Sequence, residues 1–205
     1  LVKQRAQHER EDEQQQRTRR GAKPAATVAD SAGITTPEPD VFSFSSQDDL
    51  APATPKARID ANLAALRTLR SIQAEQRAAT PAEQAVLARW SSWGATGVAQ
   101  VFDEDRPQYE AIRAELRELL PEAEYDAARR TMLNAHYTDA SIVQAMWQAV
   151  QDLGFTGGTV LEPGCGSGTF IGAAPPSAQM TGVELDPTTA AIAQALYPTA
   201  TVRPE

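Results

Sequence analysis

The stretch that most constrains this chain is Leu161-Glu162-Pro163-Gly164-Cys165-Gly166-Ser167-Gly168-Thr169-Phe170. Three glycines alternate there, directly after an apolar run and directly before a segment of helical texture. Glycine lacks the Cβ that would block a sharp turn or the close approach of a ligand to the backbone. Thr159-Val160-Leu161 reads as the strand that enters this turn, and small residues follow as a helix. Met180 to Leu185 reads as a second strand, Pro187 to Leu196 as a second helix, and Thr201-Val202-Arg203 as a third strand. Strands and helices alternating at this length predict parallel βαβ units and an α/β class. The glycine turn then sits at the carboxyl end of a parallel strand, where such sheets open a crevice.

Upstream the texture differs. Residues 1–55 read as a disordered or linker segment. The first part is almost wholly polar, and Pro24, Pro37, Pro39, Pro52 and Pro55 punctuate the rest. Such a stretch has too little apolar surface to offset its ordering entropy. Val41-Phe42-Ser43-Phe44 is its one candidate docking peptide. Residues 56–133 read as a helical region. Ile59, Leu63, Leu66, Leu69 and Ile72 recur at helical spacing, in a helix expected to end near Ala78. Thr80-Pro81-Ala82-Glu83 carries a cap, a first-turn proline and a capping-box acid. Two further helices are expected on either side of Pro121, the second running from Glu122 to Leu133 with Tyr125, Ala128, Met132 and Leu133 inward. Residues 134–205 form the third region. It opens on a helix capped by Thr138 or Asp139, carrying Ile142, Val143, Met146, Trp147, Val150 and Leu153 and closing at Gly154.

Composition excludes several functions. One cysteine in 205 residues cannot form a disulfide framework or a multi-cysteine zinc site. No window approaches ~18 consecutive apolar residues, so no membrane partner is expected. With 19 Lys+Arg against 27 Asp+Glu, a net charge of -8, contact with a polyanion has to be local or to lie outside this chain. The basic start is followed by Gln, Glu and Arg, not by an apolar run, and a cytoplasmic setting is the expectation. The sequence begins with Leu1 and ends inside a strand pattern, which reads as a piece of a larger protein.

Glu184, at the end of the second strand, gives the turn its chemistry. A carboxylate there can accept hydrogen bonds from both hydroxyls of a ribose, so turn and acid together point to a nucleoside-containing cofactor. The spacing departs from the dinucleotide pattern G-x-G-x-x-G, since Thr169 stands where the third glycine would fall. No Gly-Lys-Ser/Thr follows the turn, which excludes a triphosphate loop.

The acidic-Pro-Gly-x-Gly-x-Gly form of Glu162 to Gly168 resembles motif I of the S-adenosylmethionine-dependent methyltransferases with the Rossmann-like fold. His136-Tyr137-Thr138 upstream, with Gly182-Val183-Glu184-Leu185-Asp186-Pro187 downstream, resembles the adenine-specific DNA methyltransferases whose motif X precedes motif I. Asp139 stands where those proteins have proline. From Arg58 to Pro198, including Trp93-Gly94 and Val101-Phe102-Asp103-Glu104, the text is similar to large methylase-helicase proteins of phages, plasmids and integrative elements. The resemblance implies the first three strands of a partial Rossmann-like sheet. It implies S-adenosylmethionine as cofactor, held by Tyr137, Thr138, Glu162, Pro163, Gly164, Gly166, Gly168, Phe170, Glu184 and Leu185. The implied partners are DNA through the full-length protein, the remainder of the methyltransferase domain and a helicase region.

Such enzymes hold the target base with an Asn/Asp-Pro-Pro-Tyr/Phe tetrapeptide. None occurs in these 205 residues, and Pro175-Pro176 is preceded by Ala174. The fragment is therefore expected not to catalyse transfer by itself, and no catalytic or metal-binding residue is assigned. A methyltransferase acting on RNA, protein or a small molecule, or a truncated protein that only binds a partner, remain open alternatives. Cys165, Trp90, Trp93 and Trp147 are read as packing residues, Asp186 as a helix cap or site residue, and His136 as a cap or a contact. His8 is read as inert and the arginines at 17, 19 and 20 as a solvated face.

Overall fold

The computed structural model describes residues 40–133 and 135–205. Residues 1–39, with His8 and the arginines at 17, 19 and 20, lie outside the described residues. Among the described residues the chain is α/β, with seven α-helices and one open three-stranded parallel sheet. The helical region comprises α1 (Pro55–Glu75), α2 (Pro81–Leu87), α3 (Glu110–Leu119) and α4 (Glu122–Thr131). Then come α5 (Ala140–Asp152), β1 (Gly158–Pro163), α6 (Thr169–Gly172), β2 (Ala178–Glu184), α7 (Pro187–Leu196) and β3 (Thr201–Pro204).

The helices start where their caps say. Thr54 accepts from the Ala57 amide ahead of Pro55, and α1 then buries Ile59, Leu63, Leu66, Leu69 and Ile72 along one face. It stops at Gln76, which takes a left-handed φ of 50°, a little before the expected Ala78. Thr80 and Glu83 form the expected capping box on α2. An ion pair with Arg77 and the bonds from Thr80 hold the Glu83 carboxyl near about 2. Buried Asn62 ties α1 to the loop that follows α2. Its Oδ1 accepts from the Ser91 amide at 2.9 Å and its Nδ2 donates to the Ser92 carbonyl at 2.6 Å. A buried amide satisfied on both ends fixes position more sharply than apolar contact does. The loop it holds starts an edge-to-face aromatic chain, with centroids 5.8 Å apart for Trp90–Trp93, 5.3 Å for Trp93–Phe102 and 5.4 Å for Phe102–Tyr125. Trp90, Trp93 and Trp147 are all buried.

The sheet order is β1-β2-β3. Its register pairs Val160 with Met180, Glu162 with Gly182, and Gly182 with Val202. Alternation along each strand puts Val160, Met180, Gly182 and Val202 on the core face, and Thr159, Leu161, Gln179 and Thr201 on an exposed one. Two glycines here are packing glycines. A Cβ on Gly182 would stand 2.7 Å from Cys165 Sγ, and one on Gly172 would strike the Tyr197 hydroxyl.

The structure corrects three expectations. Residues 40–54 do not behave as linker. The Phe42 amide donates to the Leu196 carbonyl at 3.0 Å, and its ring meets Tyr197 edge-on at 6.4 Å. Leu50 is buried, and Gln47 Oε1 accepts from the first amide of α5 at 3.0 Å. A few well-placed apolar and capping groups thus hold a segment whose average composition reads as loose. Leu133, expected inward, is 81% exposed because α4 ends at Thr131 and the chain turns away. Along α5 only Ala140, Val143 and Trp147 are buried, while Ile142, Met146, Val150 and Leu153 face out. Asp139, not Thr138, caps α5, accepting from the Ser141 amide, and Gly154 ends it at φ 100°.

Gly94 is the tightest crossing between the helical region and the segment leading into α5. A Cβ there would collide with the Ala135 carbonyl oxygen and lie 2.9 Å from that of Thr131. Both are backbone atoms that cannot swing aside. Gly94→Ala should therefore lower stability by about 2 kcal/mol, the usual scale of overpacking, read as a drop in the thermal unfolding midpoint. An unchanged midpoint would show that this crossing is loose.

Candidate functional site

The site is assembled at the carboxyl end of β1 and β2. After Pro163 the chain reverses through Gly164, Gly166 and Gly168, at φ of 74°, 56° and 92°. These values favour glycine, since a Cβ strains the left-handed region. The turn is pinned to the neighbouring strand. The amides of Gly164 and Cys165 both donate to the Val183 carbonyl at 2.8 Å. The Glu184 carboxylate closes the arrangement. Its Oε2 accepts from the Gly166 amide at 2.9 Å and its Oε1 from the Asp186 amide at 2.8 Å. Each carboxylate oxygen has a further lone pair free for a ligand.

The three glycines are not equivalent. A Cβ on Gly164 would meet nothing within 4 Å, so this is where the backbone is bare toward open space. A Cβ on Gly166 would lie 3.1 Å from the Tyr137 ring. One on Gly168 would lie 2.6 Å from the Tyr197 ring, so Gly168 serves packing and does not face the cavity.

A cavity of about 410 Å³ lies over this turn. That is within the usual range for a small-molecule site. The structure brings Tyr137, Thr138, Glu162, Gly164, Gly166, Phe170, Glu184 and Leu185 together in its wall, and leaves Pro163 and Gly168 out. His136 also lines it and is exposed. Phe170 is fixed through its carbonyl, which accepts from Trp147 Nε1 at 2.9 Å. Sequence reading missed the opposite wall. Ser92 and, from α4, Ala127, Arg130 and Thr131 reach the cavity from the helical region, and Thr189 does so from α7. No local motif marks these positions, because only the packing of α4 over the β2–α7 junction brings them there. One such contact is the Thr188 hydroxyl donating to Glu124 at 2.7 Å.

Three carboxyls shape the electrostatics. Desolvation lifts the Glu162 carboxyl above the ordinary range, and no side chain among the described residues pairs with it. Burial likewise raises Asp186, which caps α7 by accepting from the Thr189 amide at 2.9 Å and the Thr189 hydroxyl at 2.5 Å. Its other oxygen is buried without a partner. Trp90 Nε1 donates to the Thr189 hydroxyl at 2.9 Å, so the cap is continuous with the aromatic core. Burial, then the Glu184 and Glu162 charges, push the Cys165 thiol up to about 12, which leaves it protonated and unreactive at neutral pH. Burial and the Glu184 charge likewise raise the Tyr137 hydroxyl, which keeps its proton. Among the described residues no group of His, Cys, Asp and Glu is arranged to hold a metal ion. No helix of these residues is long and apolar enough to cross a membrane.

Such an arrangement presents a bare backbone elbow, an anchored carboxylate with spare acceptor capacity, an unpaired acid and apolar flanks. It suits a polar ligand that carries hydroxyls and a positive charge. Comparison of the chain with protein-family models, curated proteins and solved structures returned no match.

The folded state binds the Asp186 proton more tightly than the unfolded chain does. The ionised form therefore weakens the fold above that raised pKa, an effect gone below the ordinary value near ~3.9. Asp186→Asn keeps a capping oxygen and removes the buried charge. In thermal melts at neutral pH it should be at least as stable as the parent, with the difference closing as the pH falls through the carboxyl range. Asp186→Ala, which loses the cap, should be about 1 kcal/mol less stable. An Asn variant as unstable as the Ala variant would contradict this account.

Proposed function

We propose that the chain is the cofactor-binding part of an S-adenosylmethionine-dependent methyltransferase acting on the N6 amino group of adenine in DNA. The observation that carries the cofactor is the anchored Glu184 carboxylate beside the open elbow at Gly164. The adenine acceptor rests on the resemblance of the His136-Tyr137-Thr138 and Gly182 to Pro187 segments to DNA adenine methyltransferases of the methylase-helicase type.

The residues present fit this cofactor. Glu184 would take the ribose hydroxyls on the lone pairs its backbone donors leave free. Glu162, unpaired and partly desolvated, would face the cationic methionine end, and the Thr138 hydroxyl would sit on the same side. Leu185 and Phe170 would flank the adenine ring. The absence of a Cβ at Gly164 leaves room for the ligand against the turn. The cofactor supplies a methyl group already activated by the positive sulfur. The protein's part is to orient the acceptor, exclude water and hold the charge, without a dedicated acid–base pair. The wall formed by Ser92 and α4 covers the cavity from the helical side. The tetrapeptide that would grip the target amine is not among these 205 residues, so no side chain here is assigned that role.

Isothermal titration of the 205-residue chain with S-adenosylmethionine and S-adenosylhomocysteine tests the reading. Glu184→Gln keeps one oxygen for the turn but loses the charge-assisted bonds, and should weaken both ligands more than tenfold. An unchanged dissociation constant, or no binding by the parent chain, would refute the assignment. Protonation of Glu162 removes the charge that faces the sulfonium. Affinity for S-adenosylmethionine should therefore fall as the pH drops through the raised range of this carboxyl, and Glu162→Gln should flatten the profile.

A further inference from the structure

We infer that Trp90, in the loop after α2, is a positioning residue for Glu184, acting through the Thr189 hydroxyl and Asp186. The inference rests on the methyltransferase reading, in which Glu184 takes the ribose, and adds how the helical region sets that grip.

The contacts run in one line. Trp90 Nε1 donates to the Thr189 hydroxyl at 2.9 Å. That hydroxyl donates to Asp186 Oδ2 at 2.5 Å, and the Asp186 amide donates to Glu184 Oε1 at 2.8 Å. A hydroxyl has a single proton to give. With one of its lone pairs taken by the indole, the Thr189 proton is directed to Asp186. Asp186 has no other side-chain hydrogen bond among the described residues. Its Oδ2 accepts from the Thr189 amide and hydroxyl, and its Oδ1 is buried with no partner. The orientation of this carboxylate, and with it the start of α7, therefore depends on the Thr189 hydroxyl. The Asp186 amide at that start is one of two backbone donors that fix Glu184, the other being Gly166. Trp90 itself is held from behind. It meets Trp93 edge-on, at the head of the aromatic chain that runs through Phe102 to Tyr125 on α4. Trp90, Thr189 and Asp186 are 2%, 2% and 6% exposed, so water does not stand in for a missing member. A polar chain satisfied in the interior fixes each group by its neighbour, and carries the position of the indole to the acid at the cavity.

The test uses the 205-residue chain. Thr189→Val removes the hydroxyl at nearly constant volume, Trp90→Phe removes the indole donor, and Thr189→Ser keeps the hydroxyl. Titration calorimetry follows S-adenosylhomocysteine and its analogue lacking both ribose hydroxyls, which offers Glu184 nothing to hold. Thr189→Val and Trp90→Phe should each weaken S-adenosylhomocysteine about fivefold, the scale of one lost hydrogen bond. The analogue should lose less than about twofold, since its affinity does not pass through Glu184. Thr189→Ser should bind as the parent does. Losses along one relay do not multiply, so Trp90→Phe/Thr189→Val should also lose about fivefold. Without ligand, hydrogen exchange of the Asp186 amide and the Trp90 indole should quicken at least ~fivefold in Thr189→Val. The Gly164 and Cys165 amides, bonded to the Val183 carbonyl, should exchange as in the parent. The inference is overturned if Thr189→Val binds S-adenosylhomocysteine as the parent does, if the analogue loses as much, or if the single losses multiply. Should Trp90→Phe not fold, an indole of Trp90 that exchanges no faster in Thr189→Val removes it from the relay. A parent chain that binds no S-adenosylhomocysteine would sink the methyltransferase reading, while the exchange arm still decides the relay. Equal quickening at Gly164 and Cys165, or none at Asp186, overturns it.

Discussion

The Glu184 carboxylate is the contact on which the site depends. It joins two pieces of backbone that are distant in sequence, the Gly166 amide inside the glycine turn and the Asp186 amide at the start of α7. Together with the Val183 carbonyl, which receives the Gly164 and Cys165 amides, it converts a flexible run of glycines into a fixed elbow. Glycines alone would give a turn of many conformations, because they lose the most backbone freedom on ordering. The anchoring acid selects one of them and presents its own unused lone pairs at the same spot. Structure and binding capacity therefore share a single side chain, and so the test of function uses Gln and not the bare loss of the acid.

Around that elbow, a second layer of packing decides which glycines are free. Gly168 and Gly172 make room for Tyr197, and Gly182 makes room for Cys165. Gly164 alone of the turn faces open space. The sequence G-x-G-x-G thus holds two kinds of glycine, some required by neighbouring side chains and one left bare toward the cavity. Cys165 illustrates the same division. It sits inside the most suggestive motif of the chain, yet its thiol is buried against Gly182 and stays protonated, so it is a spacer.

The helical region contributes more than a support. Asn62 fixes the Ser91-Ser92 loop, Trp90 reaches Thr189 at the cap of α7, and α4 lies over the β2–α7 junction. These contacts make the cavity a cleft between the helices and the sheet edge. The cleft is acidic within, through Glu162, Glu184 and Asp186, and Arg130 is the one arginine of its wall.

The sequence by itself determined the α/β order, the three strands, the turn and its acid, and the cap at Thr80. Each of these is encoded within a few neighbouring residues, by period, by a cap or by glycine. Tertiary structure alone decided the rest. It docked residues 40–54 through Phe42, Leu50 and Gln47, it turned Leu133 and half of α5 outward, and it left Pro163 and Gly168 out of the cavity wall. It also brought Ser92, Arg130, Thr131 and Thr189 to the cavity. Those outcomes depend on which surfaces meet across long stretches of chain. A side chain's role there is set by its partner's position in space, which no local spacing records.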